Sequence, residues 1–175
     1  MSEQPIPMCK AALLCTYLCR DSSTEQWTLA GMYDGLVVEE YPSHSKAISW
    51  YAKLGDVRGR YEITPQIVDP DGHVLTSMPV GFITGRAPMW GAEFGGIFRN
   101  VIFKVPGKYS IQVLCGPLRS ALDGAMNSFR IPGDMDFSIP KRKADLDVVV
   151  HCEFEVAPLS RLIGDPSQRR PEDVG

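Results

Sequence analysis

Two Asp-x-Asp pairs, Asp69-Pro70-Asp71 and Asp134-Met135-Asp136, carry the sharpest chemical signal in this chain. Hard cations take several oxygen ligands from loop carboxylates. Asp69, Asp71, Asp134 and Asp136 would therefore make a calcium site of the C2 type if both loops lay at one end of the fold. Asp69-Pro70-Asp71-Gly72 is equally an ordinary β-turn, in which proline presets the first corner and glycine takes positive φ. Both readings are open at this point.

Catalysis asks for a nucleophile, a base and an orienting group brought together. The histidines are His44, beside Ser43 in an expected loop, His73, which opens a strand, and His151, on the polar face of the last strand. Gly-x-Ser-x-Gly, His-x-His and His-Glu-x-x-His are absent, and Gly91 to Gly96 lacks the Lys-Ser/Thr of a phosphate loop. The reading is a non-enzymatic protein without a cofactor, calcium being the alternative. His151 and Trp90 are kept as candidate ligand or interface residues. Trp90 has no core role in the pattern, whereas Trp50 is in phase with Ile48 and Leu54, and Trp27 begins a strand.

The 5 cysteines, Cys9, Cys15, Cys19, Cys115 and Cys152, are odd in number and include no Cys-x-x-Cys pair. That fits reduced thiols and a cytoplasmic setting better than a disulfide framework. Cys9, Cys15 and Cys19 share a strand face with Ala11, Leu13 and Tyr17, where cysteine acts as a small buried hydrophobe. The stretch Ala11 to Cys19 has Glu3 rather than a basic cluster ahead of it and no small-x-small site, so it reads as a core strand and not a secretory leader. No run approaches the roughly 20 apolar residues of a membrane-spanning helix. A formal charge of −3 leaves no basic excess for nucleic acid, and Lys141-Arg142-Lys143 and Arg169-Arg170 are too short to supply one.

The elements that must position these residues are strands. Gly59-Arg60-Tyr61-Glu62-Ile63 and Gly107-Lys108-Tyr109-Ser110-Ile111 repeat one pattern, a glycine, a basic residue and a tyrosine leading into period-two alternation. Tyr109 stands where a tyrosine corner ties down the start of an immunoglobulin-type strand, although Ile111 replaces the cysteine of that motif. Further strands are expected over Met8 to Cys19, Gln26 to Tyr33, with a bulge or close approach at Gly31, Ile48 to Leu54, and Val74 onward. Residues 79–97 are glycine-rich and read as irregular and exposed. Residues 116–145 lose periodicity, with a short helix possible between Ser120 and Phe129. Leu146 to Val156 forms the longest alternating run.

Leu14-Cys15-Thr16-Tyr17, then Thr28-Leu29-Ala30-Gly31 with Asp34, then the Gly59-x-Tyr61 strand ending in Asp69-x-Asp71-Gly72, resembles a family of small bacterial proteins of unknown function. The resemblance covers residues 8–115. It implies a two-sheet sandwich and no assigned activity.

The expected fold is thus an all-β, two-sheet antiparallel β-sandwich, immunoglobulin-like or C2-like, with at most one short helix. Residues 1–7 are a lead-in, 8–158 a single domain and 159–175 a polar tail. The expected core is Leu14, Leu29, Trp50, Leu54, Tyr61, Ile63, Ile67, Phe103, Tyr109, Ile111, Val113, Val148, Val150 and Phe154. Rich in core and turn signals and poor in convergent polar groups, the chain reads as a non-catalytic interaction or assembly module, the alternative being a calcium- or small-ligand-binding sandwich that uses the loop aspartates. The module would engage a protein partner or itself, with a homodimer through the 146–156 strand as one form. Ile111→Asp places a charge in this core and is expected to abolish folding; a soluble Ile111→Asp protein with a cooperative melt would show the strand to be out of phase.

Overall fold

The computed structural model describes residues 5–85, 91–117 and 146–163. In chain order the strands are β1 (Met8–Arg20), β2 (Trp27–Tyr33), β3 (Gly35–Val38), β4 (Ser43–Gly55), β5 (Gly59–Val68), β6 (Val74–Ser77), β7 (Gly81–Gly85), β8 (Ala92–Phe103), β9 (Gly107–Pro117) and β10 (Asp147–Pro158). One short helix, α1 (Leu159–Ile163), follows in the segment read as tail, while the span from Ser120 to Phe129 lies outside the described residues. Sheet A has the order β2-β1-β4-β8 and sheet B the order β3-β10-β9-β5-β6, with β7 also on β5. The result is the expected all-β two-sheet sandwich. Every pairing is antiparallel except that of β3 with β10, which is parallel.

The core joins the sheets through aromatic rings. Phe103 of sheet A meets Tyr109 of sheet B edge-on at 4.9 Å and Phe154 at 6.1 Å, and Tyr109 stacks on Phe154. All three are at most 2% exposed, so each ring withdraws a large apolar surface from water, about 1.5–3 kcal/mol apiece. The Tyr109 hydroxyl donates to the Val105 carbonyl at 2.7 Å, closing the tyrosine corner read from the sequence. The first copy of the pattern behaves alike, with the Tyr61 hydroxyl 3.2 Å from the Arg58 carbonyl and 2.5 Å from that of Pro5.

The expected core is buried except at two positions. Leu29 is half-buried, and Val148 is 50% exposed because a bulge between Val148 and Val150 shifts the phase of β10 and turns Val149 inward. A second bulge, between Cys9 and Ala11, does the same in β1. Leu14 therefore faces the core, Leu13 and Tyr17 face out, and Cys19 is exposed rather than buried.

The glycine-rich span 79–97 is not irregular over its described part, since it holds β7 and the start of β8. Its glycines answer to crowding. A Cβ at Gly85 would lie 1.8 Å from the Val57 carbonyl oxygen, and one at Gly95 would lie 2.5 Å from that of Trp50. Gly95 also lies beneath Leu18. The β1–β2 hairpin leaves β4 after Cys15 pairs with Ser49 and curls over the back of sheet A, where Trp27 meets Tyr51 edge-on at 5.9 Å. Tyr51, out of phase with Trp50, is buried for this reason.

Pro65 interrupts a central strand, where its missing N–H would normally be costly. Its carbonyl accepts from Met78 N–H, so its nitrogen also faces the β6 and β7 side. There β7 pairs as far as Ile63 and β6 begins at Gln66, leaving Pro65 opposite the gap between them. His44 and Ser45, expected in a loop, belong to β4 and pair with Ile102 and Val101.

Tyr109→Phe keeps the ring and removes the bond to Val105. It should cost about 1 kcal/mol, read as a lower urea midpoint with an unchanged slope. Gly95→Ala drives a methyl into backbone and should cost more, about 1–3 kcal/mol, in the same titration.

Candidate functional site

The first candidate is the β5–β6 turn. Asp69 Oδ1 accepts the N–H groups of Asp71 at 3.0 Å and His73 at 2.7 Å, and the Gly72 N–H donates to the Asp69 carbonyl. Gly72 takes φ 85°, as the turn reading requires. His73 Nδ1 lies 3.4 Å from Asp69 Oδ2, and single ligand atoms of Asp69, Asp71 and His73 fall within 4.8 Å of one another. Desolvation pushes the Asp69 carboxyl up, but the N–H groups of His73 and Asp71 and the adjacent imidazole outweigh it, so its pKa falls below the ordinary carboxylate value. One carboxylate oxygen is thus committed to closing the turn, and Asp71 and His73 are exposed. Asp134, Asp136 and Trp90 lie outside the described residues.

The histidines are dispersed. His44 is exposed on β4 of sheet A, His73 accompanies Asp69, and His151 is exposed on β10, 3.9 Å from Glu153. The cysteines are all free thiols. Burial raises the pKa of Cys9, Cys15 and Cys152, and burial with the charges of Asp147 and Glu62 pushes Cys115 up to about 12. Buried neutral thiols are poor nucleophiles.

A second candidate was not legible in the sequence. β2 and β3 are one edge segment that changes sheet at Asp34, pairing with β1 up to Tyr33 and with β10 from Gly35 onward. Glu155 N–H donates to the Asp34 carbonyl at 3.1 Å and fixes the crossing. The switch leaves an open notch of about 440 Å³ bounded by Leu13, Met32, Tyr33, Asp34, Cys152 and Glu153. Cys152 Sγ donates to the Ala12 carbonyl at 3.7 Å across its floor. Tyr33-Asp34-Gly35 reads in the sequence as the end of a strand, and only the three-dimensional pairing reveals a change of sheet.

β10 itself is an edge over part of its length. It lies between β9 and β3, but β3 pairs only with Glu155 to Pro158. Among the described residues, Asp147 to Phe154 has no strand on that side.

The family model for DUF6941, a family of unknown function, matches residues 10–118, more than half of the chain. The matched span takes in sheet A and most of sheet B and stops before β10. No curated protein matches the sequence.

Cys19 should react with an aromatic disulfide reagent in the native state, and the buried Cys15 and Cys115 about 100-fold more slowly or only after unfolding; fast modification of Cys15 or Cys115 would contradict their burial. Because the folded pKa of Asp69 is depressed, its contribution to stability is full above pH ~4 and is lost as pH falls through the folded value. Asp69→Asn keeps an acceptor oxygen and loses the charge. It should be less stable than the parent near neutrality, and melts recorded from pH 6 to pH 2.5 should show the gap closing with acid.

Proposed function

The chain belongs to DUF6941, a family of unknown function, and we propose that it is a non-catalytic protein-interaction or assembly module. One observation carries this reading. Leu13, Tyr17 and Met32 are 38%, 55% and 66% exposed on adjacent positions, since Met32 pairs with Cys15 between the other two. Exposed apolar side chains that adjoin one another mark contact surfaces more often than isolated ones do. The patch borders the notch, and no nucleophile, base and orienting group converge among the described residues. Free thiols, odd in number, support a reducing, cytoplasmic setting.

The test is capture of a defined partner by the tagged chain, followed by Met32→Asp. Loss of capture with an unchanged melt supports the reading; capture indifferent to Met32 and Tyr17 would remove the patch from it. Self-association through the same patch is checked by mass across micromolar concentrations.

A divalent cation on the β5–β6 turn is a second reading, favoured by the convergence of Asp69, Asp71 and His73. It requires calcium or zinc to raise the melting temperature of the parent and not of Asp71→Asn. Equal melts with and without metal would end it.

A further inference from the structure

Resting on the interaction reading, we infer that the notch is a strand-addition site, in which an extended, lysine- or arginine-bearing segment of a partner protein pairs with β10 in line with β3. The direction of the backbone carries the argument. Glu155 points its N–H toward β3, where it donates to Asp34. Alternate residues of a strand point their N–H and C=O groups to the same side. Glu153 and His151, two and four residues earlier, therefore present theirs along the line that β3 vacates. Among the described residues no strand pairs there. Unpaired strand edges of this kind are templates for a further strand.

The surroundings select the occupant. Leu13, Met32 and Tyr33 offer apolar contacts on one wall. Asp34 and Glu153 line the notch, with Asp147 at the start of the strand. Glu155 is ion-paired with Arg161, whereas Glu153 has the exposed Lys108 at 3.7 Å and the exposed His151 at 3.9 Å, both weak pairs in water. Asp34 has no cation beside it among the described residues. A second copy of β10 would bring these carboxylates against their own kind, on a chain of formal charge −3. A basic extended segment meets complementary charge instead.

Amide hydrogen exchange on the ¹⁵N-labelled full chain tests this, using two synthetic probes at millimolar concentration: an alternating valine-lysine peptide and its valine-glutamate counterpart. In the free chain, His151 and Glu153 amides should exchange rapidly while Val150, Cys152 and Phe154, turned toward β9, are protected. The lysine peptide should slow exchange at His151 and Glu153 by about tenfold and the glutamate peptide should not. Glu153→Lys should reverse the preference. Glu153→Pro removes an outward N–H that β9 does not use, and should abolish the protection while the protein still melts cooperatively. Protection of His151 and Glu153 in the free chain would overturn the proposal in favour of another segment of this chain, or of a second copy if protection grows with concentration. Indifference to both peptides would also overturn it, and if capture of a partner still depended on Met32 the interaction reading would survive without the edge.

Discussion

The packing of Phe103 against Tyr109 and Phe154 is the contact on which the sandwich depends. Phe103 is the last residue of β8 in sheet A, and Tyr109 lies three residues into β9 in sheet B, so the chain crosses between sheets in the few residues from Lys104 to Pro106. Such a short crossing sets the distance between the layers. The tyrosine hydroxyl, bonded to Val105 within that crossing, makes the loop and the core one unit. Aromatic pairs, edge-on or stacked, add about 0.5–1.5 kcal/mol each beyond the area they bury, and two edge-on contacts and one stacked contact converge here.

From this centre the sheets differ in how they end. Sheet A protects its back by curling the β1–β2 hairpin over β4 and β8, which needs a bare backbone at Gly95. Sheet B divides one side of β5 between two short strands, and Pro65 stands where neither needs a donor. The other end of sheet B is finished by only four residues of β3, borrowed from the segment that began in sheet A. Completing two sheets with one edge segment leaves each of them incomplete near the switch. The notch is the geometric remainder.

Strands whose faces alternate cleanly were readable from the residues alone: β5, β9, the core face of β4 and most of β10 were placed with their inward residues. What escaped were local shifts of phase and crowded backbones. Val148 was assigned inward because an inserted residue in β10 cannot be recognised from period-two alternation, and Cys19 because of the same device in β1. Glycines at 85 and 95 imitated a loop, since the sequence does not distinguish a glycine kept for turning from one kept for closeness. Of the loop carboxylates, Asp69 and Asp71 were rightly placed at a tight turn, while Asp134 and Asp136 fall outside the described residues. The notch was hidden for a different reason: it is defined by residues from β1, β2 and β10, which are adjacent only after folding.

The parallel pairing of Gly35–Val38 with Glu155–Pro158 has a consequence for biosynthesis. A chain emerging from the ribosome presents β3 long before its partner, so this edge has nothing to pair with until β10 has followed. Sheet A can assemble once β8 has emerged, but β9 stays unpaired on one side until β10 arrives. Contacts of such long sequence separation form slowly and leave strands exposed meanwhile. Closure of sheet B therefore waits for β10, and a translation product cut short before it would carry an open β9 edge.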